Sequence, residues 1–416
     1  MEVPMKIVIV GAGPAGVSAA ETVRSHDPRA DLVMFSAEPY PPYSPPAMVE
    51  HFLHGSDVHL WRGEDWPERT RVDYRAGAIV KQVQPAEHSL LLGDGTRVEY
   101  DRLVLATGSR LYAPLEGVDL PGVYNFKSLS AAEALVKRVK TGEAKTAAIV
   151  GAGFIGMEIA LLLRALGVAV IQVEMLDQVM PAQLDRETAT FAQEVMRQRG
   201  IDLRLSTKAR AFVGEKQAEG VELETGEVLK GDLFVAATGV KPNLELLQDS
   251  GIAHRWGVTV DACLRTSAPD VFAAGDVVEA PDRLTGEAFV HAIFPNAVEQ
   301  GRVVGLNLLG FDVRYEGAER MNSLKHLGLP IMAVGLKEGE EVLRERWDGG
   351  LRTLYLKEDR LVGFQLVGDI RAAGALRSLL ITGQELRELK DRLLERTFGE
   401  GTRVWHGLAI GGNAPA

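Results

Sequence analysis

A chain of 416 residues, 46% hydrophobic and 25% charged, is long enough for two or three domains with cores of their own. Its 57 acidic against 46 basic residues leave a net charge of −11, which speaks against nucleic acid as a partner. No uninterrupted apolar run reaches the ~20 residues of a membrane span, and the first apolar run, flanked by Glu2 and broken by glycines, does not fit a secretory leader; a cytoplasmic location without a membrane partner is the expectation, and the acidic balance is compatible with a cytosolic enzyme without identifying one.

The first element is Lys6-Ile-Val-Ile-Val10, running into Gly11-Ala-Gly13-Pro-Ala15-Gly16 and then small and apolar residues. This is the order strand, glycine turn, helix. In such a turn the first glycine makes the bend, the second lets a pyrophosphate approach the backbone, and the third lets helix and strand pack closely. The helix N-terminus adds free N–H groups and a positive dipole end. Leu32-Val-Met-Phe-Ser36 reads as the next strand, and Glu38, 27 residues after Gly11 (38 − 11), is the candidate acid for a nucleotide ribose. Five prolines between Pro39 and Pro46 exclude helix and central strand and predict a rigid loop. Alternation from Val72 to Tyr100 around Gly93-Asp94-Gly95 predicts a hairpin, and Arg102-Leu-Val-Leu-Ala-Thr107-Gly108-Ser109 closes the unit.

The same grammar then returns. Thr146-Ala-Ala-Ile-Val150 enters Gly151-Ala-Gly153-Phe-Ile155-Gly156, a helix-like run follows to Leu166, and a second apolar run ends on Glu174, 23 residues after Gly151 (174 − 151). That spacing suits an acid accepting from a ribose 2′-OH, and a carboxylate there repels a 2′-phosphate, so the expected nucleotide is NADH rather than NADPH. Hairpin-like stretches around Thr225-Gly226 lead to Leu233-Phe-Val-Ala-Ala-Thr238-Gly239. The two glycine turns lie 140 residues apart (151 − 11) and the two Ala-Thr-Gly runs 131 (238 − 107), an internal duplication far more specific than either motif alone. Two dinucleotide sites in one chain predict two cofactors that exchange electrons.

Asp185 is placed to cap a helix that Gly200 ends. Thr266-Ser-Ala-Pro-Asp-Val-Phe-Ala-Ala-Gly275-Asp276 reads as a strand ending in an acid at a turn, and Phe294-Pro295-Asn296 as a helix start. The last hundred residues hold no nucleotide motif: strand-like Leu351 to Leu356 and Leu361 to Leu366 precede a helix expected from about Gln384 to Arg396, with Leu386, Leu389 and Leu393 on one face. The single cysteine, Cys263, can form neither an internal disulfide nor an iron-sulfur ligand set, and reads as a small, partly buried residue.

The quartet GAGPAG, ATG, GAGFIGME and ATG, closed by TSAPDVFAAGD, resembles the pyridine nucleotide-disulfide oxidoreductase superfamily of two-dinucleotide-binding-domain flavoproteins. Within it, EPYPPYSPPAM, FPNAVEQGR and LVGFQLVGDIRAAG resemble the branch of rubredoxin and ferredoxin reductases, nitrite-reductase NADH/FAD regions and flavin subunits of larger complexes. The resemblance implies an α/β fold of two Rossmann-like three-layer domains: a discontinuous FAD domain (1–111 and 245–315), an inserted NAD domain (112–244) and a smaller α+β C-terminal interface domain (316–416). It places FAD on Gly11, Gly13, Ala15 and Gly16, with Glu38, Thr107, Gly108, Asp276 (toward the ribityl chain) and Asn296 (near the pyrimidine end of the ring). It places NADH on Gly151, Gly153, Ile155, Gly156, Glu174 and Gly239, with Glu158 where nicotinamide meets flavin. The disulfide-reducing members carry a reactive cysteine after the first ribose acid, whereas this chain reads YSPPAMVEHF there. Pro45 and Glu50 stand where the reductase branch usually has arginine and lysine, and Glu50 is a candidate for lowering the flavin potential.

The implied function is an FAD-dependent NADH:acceptor oxidoreductase working with an iron-sulfur, rubredoxin or ferredoxin-type protein or partner subunit, in either direction. The alternatives are an NADH oxidase or diaphorase reducing oxygen or quinones, and a redox-sensing interaction flavoprotein. The C-terminal domain is the expected surface for a homodimer or a hetero-complex.

Overall fold

In the computed structural model, residues 4–57, 61–324, 328 and 330–399 are described. Two five-stranded parallel sheets carry the architecture, and they share one topology. In the first, the strand order is Val271–Ala273, Arg102–Leu105, Lys6–Val10, Asp31–Phe35, Val72–Arg75. In the second it is Val123–Tyr124, Leu233–Ala236, Thr146–Val150, Ala169–Val173, Asp202–Arg204. Four strands of each sheet come from one copy of the repeat. The fifth comes from outside it: Val271–Ala273 returns to the first sheet after the whole second unit, and Val123–Tyr124 joins the second sheet before its own copy begins.

Each sheet carries a three-stranded antiparallel appendage, Val80–Gln84 with Ser89–Leu92 and Arg97–Glu99, and Ala209–Val213 with Gly220–Leu223 and Val228–Lys230. Both predicted hairpins are there, but the first begins at Val80 and not at Val72, because Val72–Arg75 pairs parallel with Asp31–Phe35 as an edge strand of the first sheet. The two units are tied by a short antiparallel ribbon, Ser109–Leu111 with Val240–Pro242, directly after the two Ala-Thr-Gly runs. Asp185 caps the Arg186–Gln198 helix by accepting from the Thr188 N–H at 2.8 Å, as expected, and Gly200 follows at φ 78°.

The C-terminal part is an antiparallel sheet of Met321–Leu324, Ile331–Gly335, Arg360–Val367, Gly350–Lys357 and Glu341–Trp347 in that spatial order. Its helices depart from expectation. One spans Ala373–Thr382, and the stretch predicted as a helix from 384 to 396 is helical only over Lys390–Leu394. Glu385 instead bridges to Arg360, and the Leu386 N–H donates to the Asp359 carbonyl at 2.8 Å, so the sheet's edge takes backbone groups that a helix would have used. The leucines keep their core role: Leu386 and Leu393 are fully buried, and Leu389 packs on the same cluster. No helix among the described residues is long and apolar enough to cross a membrane.

Candidate functional site: two glycine turns and the crevice between them

The backbone at both glycine turns has the shape a pyrophosphate needs. Gly11 and Gly151 stand at φ 114° and 104°, and a Cβ on either would lie 2.1 Å or 2.3 Å from the carbonyl oxygen of Ala106 or Ala237 in the neighbouring strand. A Cβ on Gly16 or Gly156 would come within 2.0 Å or 2.3 Å of the carbonyl of that first glycine, so helix and turn touch there. At Gly13 and Gly153 the same construction meets nothing within 4 Å. These two are the N-caps of the Pro14–His26 and Phe154–Ala165 helices; neither helix has a side-chain cap or an acid in its first turn, so their N–H groups and dipoles face open space. Both cradles fit a dinucleotide. FAD and NAD(H) would be held there by main-chain N–H groups.

Beyond the turns the copies diverge. The Gly11 N–H donates to the Phe35 carbonyl and the Gly151 N–H to the Val173 carbonyl, both at 2.8 Å, so the residues that follow these strands, Ser36 and Glu174, occupy equivalent positions. Glu174 is 8% exposed, and its carboxylate accepts from the Ala152 N–H at 2.8 Å and the Leu176 N–H at 3.0 Å, bracing the second turn against the loop beyond it. Glu38 lies two residues past the matching position in the first unit. Its carboxylate accepts from the Tyr43 hydroxyl, from the Ser130 N–H at 3.0 Å and from the Ser130 hydroxyl at 2.7 Å, while the Tyr43 oxygen accepts from the Leu129 N–H at 3.0 Å. Glu38 and Tyr43 therefore serve the N-terminus of the Leu129–Lys140 helix, which belongs to the second unit. Burial, then the charge of Glu38, pushes the Tyr43 hydroxyl well above its ordinary value, so it stays a donor.

Asp276 arrives beside the first turn because the Phe294–Leu308 helix packs tightly on Pro14–His26. Gly301 and Gly305 make this possible: a Cβ on Gly301 would lie 2.2 Å from the Ala15 carbonyl. The Gly275 N–H donates to the Gln300 side chain at 2.7 Å and fixes the turn. The Asp276 carboxylate accepts from the Ser109 hydroxyl at 2.9 Å and pairs with the Lys127 ammonium at 3.0 Å. Lys127 lies just before the Leu129–Lys140 helix and Ser130 in its first turn, so one stretch of the second unit engages both acids read as belonging to the first cofactor. Nothing in the linear sequence marks Lys127, Tyr43 or Ser130 for these roles, because their partners lie from 5 to 149 residues away.

The two Ala-Thr-Gly runs are used alike. The Thr107 hydroxyl donates to the Asn243 carbonyl at 2.9 Å, and the Thr238 hydroxyl to the Tyr112 carbonyl at 2.7 Å. Gly108 and Gly239 accept at their carbonyls from Asn243 and Tyr112, so both threonines anchor the ribbon between the units and leave the glycines beside the turns. Asn296, third residue of its helix and 5% exposed, has both ends of its side-chain amide bonded to the Glu319 main chain at 2.9 Å and 3.0 Å. Its backbone N–H belongs to the first turn of a helix that has no side-chain cap.

Ile155 and Glu158 lie one turn apart on the half-buried stripe of the Phe154–Ala165 helix. Glu158 forms no hydrogen bond or ion pair with any described residue, and burial pushes its carboxyl up to about 7. The Met48–His54 helix packs against this one through Met48, Val49 and Phe52, which share a cluster with Met157 and Leu161. Glu50 sits in its first turn, 3.5 Å from His54. His291, buried three residues before Phe294, lies 3.8 Å from Asp282, and burial pushes its ring down to about 4, so it is neutral at physiological pH.

A family model described as pyridine nucleotide-disulphide oxidoreductase matches residues 5–301. The chain is 30% identical, over 96% of its length and 97% of the relative's, to the NADH-dependent phenylglyoxylate dehydrogenase subunit epsilon of Aromatoleum evansii. It is 29% identical to an NADH oxidase of Methanocaldococcus jannaschii, covering 91% of this chain and 90% of that one. Among solved structures, a ferredoxin reductase from Rhodopseudomonas palustris superposes with a TM-score of 0.85 at 26% identity, over 94% of this chain and 98% of its own.

Proposed function

The chain belongs to the pyridine nucleotide-disulphide oxidoreductase family and is an FAD-containing, NADH-dependent oxidoreductase; we propose that it passes electrons between NAD(H) and an iron-sulfur protein or partner subunit, through the flavin alone. On this reading FAD lies on the first glycine turn, toward Asp276 and the Asn296 N–H, and NADH on the second, along Ile155 and Glu158. The domains on this reading are 1–111 with 245–315 for FAD, 112–244 for NAD and 316–416 for the interface, of which 1–3, 58–60, 325–327, 329 and 400–416 lie outside the described residues.

The observation that carries the proposal is the placement of the only thiol. Cys263 gives its carbonyl to the Asn307 side chain at 2.8 Å, near the end of the helix whose first turn holds Asn296. Eleven residues of helix separate the two, about 17 Å at 1.5 Å per residue. The Cys263 Sγ contacts Asp312 at 3.5 Å, and burial and that carboxylate push the thiol up, away from the reactive thiolate. With no thiol of this chain to relay charge beside the first turn, a flavin held there would itself supply the redox chemistry, accepting a hydride and releasing electrons singly. The chain's own part is to cradle both pyrophosphates on helix N-termini, to hold Asp276 with Ser109 and Lys127, and to clamp the two units together through Glu38, Tyr43 and Ser130.

The relatives carry names of different kinds, an NADH oxidase, an NADH-dependent dehydrogenase subunit and a ferredoxin reductase, so the acceptor is what an experiment has to decide. The test is reoxidation of the NADH-reduced protein by stopped flow, in air and anaerobically with a ferredoxin or rubredoxin. Faster reoxidation by the iron-sulfur protein supports the proposal. Reoxidation by oxygen at full turnover, unaffected by an iron-sulfur protein, replaces it with the oxidase reading.

A further inference from the structure

Gln172 is fully buried in the Ala169–Val173 strand, under the second glycine turn. Its side-chain NH₂ donates to the Gly151 carbonyl at 2.9 Å, while its Oε1 has no hydrogen-bond partner among the described residues. A buried acceptor without a donor destabilises a fold, so glutamine is a poor choice here unless its other end is needed. That other end completes a clamp. The Gly151–Ala152 peptide is gripped on both sides: its carbonyl accepts from Gln172, and its N–H donates to the Glu174 carboxylate at 2.8 Å. The Gly151 N–H donates to the Val173 carbonyl and the Ala152 carbonyl accepts from the Met180 N–H, both at 2.8 Å. Every main-chain polar group of these two residues is therefore bonded within the protein.

The first unit is built differently at the same register. Ile149 pairs with Gln172 and Ile9 with Met34, so Met34 is the counterpart of Gln172, as Ser36 is of Glu174. Met34 is fully buried and has no hydrogen to donate, and the Ser36 hydroxyl is engaged with the Glu38 main chain at 3.1 Å and 3.2 Å. Among the described residues no side chain hydrogen-bonds to the Gly11–Ala12 peptide. One turn is left for its ligand to fix, and the other is fixed beforehand. A dinucleotide that enters and leaves on every turnover must find its site ordered each time, whereas a resident cofactor orders its site once, and pre-ordering raises the affinity of the exchanging partner.

We propose that Gln172 is a positioning residue for NAD(H): it holds the Gly151–Ala152 peptide in one orientation, so that the second turn is preorganised for a nucleotide that exchanges at every turnover. This rests on the placement of NAD(H) on the second glycine turn. The test is Gln172→Met in the FAD-loaded protein, which puts the first unit's own residue at this register. With ferricyanide as acceptor, KM for NADH should rise about 2- to 10-fold, up to the equivalent of one neutral hydrogen bond, with kcat held within about twofold. Amide exchange at Ala152 in the nucleotide-free protein should accelerate by a similar factor. Tm should stay within about 5 °C of the wild type, because losing the bond is offset by removing the unpaired Oε1, and the first unit already tolerates methionine here. If Gln172→Met does not fold, Gln172→Leu is read in the same way. Unchanged KM, or unchanged exchange at Ala152, overturns the proposal. A raised KM that comes with a larger fall in Tm also overturns it, because Gln172 then serves only the fold. If NADH does not bind the wild type, or binds equally well to Gly153→Leu, the site reading falls and this inference with it.

Discussion

Glu174→Gln is the substitution that tests the second turn most directly, because glutamine keeps the shape and loses one acceptor. Each carboxylate oxygen of Glu174 accepts from a different main-chain N–H, Ala152 at 2.8 Å and Leu176 at 3.0 Å. Glutamine has one oxygen and one NH₂ group, so whichever way it turns, one donor faces another donor. Ala152 is fully buried, and its N–H has no water to turn to. A hydrogen bond to a charged group contributes ~1.5–3 kcal/mol, and a buried donor left unpaired costs a similar amount. A loss of about 2–3 kcal/mol at the turn is a ~30- to 150-fold easier local opening. Amide hydrogen exchange read at Ala152 and Leu176 should accelerate by that factor, while amides of the first sheet stay protected. The same variant, with the negative charge gone, should discriminate less against NADPH, by about tenfold in relative kcat/KM. Unchanged exchange at both amides, together with unchanged nucleotide preference, would refute the reasoning that this carboxylate braces the turn and faces the ribose.

Gly13→Ala and Gly16→Ala separate ligand binding from folding: the first adds a methyl into open space and should lower FAD retention without changing apoprotein stability, whereas the second meets the Gly11 carbonyl at 2.0 Å and should lower the apoprotein Tm. Equal melting of the two variants would contradict this. Glu158→Gln should be more stable than the wild type at high pH. The folded carboxyl is pushed up from 4.5 to about 7, so native stability is full below pH 4.5 and falls as pH rises through 7; the variant escapes a loss of at most about 3 kcal/mol, and urea melts of the apoprotein at pH 4.5 and 8 should diverge only at the latter. Tyr43→Phe removes the donor to Glu38 and the acceptor for the Leu129 N–H, with an expected loss of about 1–2 kcal/mol, readable as faster exchange at Leu129 and Ser130. Glu50→Gln should raise the flavin midpoint potential if the carboxylate faces the ring, and potentiometry that finds no shift removes Glu50 from the electrostatics of the site.

The sequence alone determined the repeat, both glycine turns and the parallel sheets around them. A strand that must turn sharply, approach a phosphate and receive a helix has few residue choices, and those choices sit within six positions of one another. It also determined that this chain supplies no dithiol of its own, since it has one cysteine. Tertiary structure decided the rest. It made Ser36, not Glu38, the counterpart of Glu174, because register along a strand fixes equivalence and spacing from a glycine does not. It turned Glu38 and Asp276 toward Ser130 and Lys127 of the other unit, tied Asn296 to the Glu319 main chain, and shortened the last helix where the sheet edge claimed its backbone. These are contacts between segments distant in the chain, and they depend on how two copies of one module pack against each other, which neither copy encodes by itself.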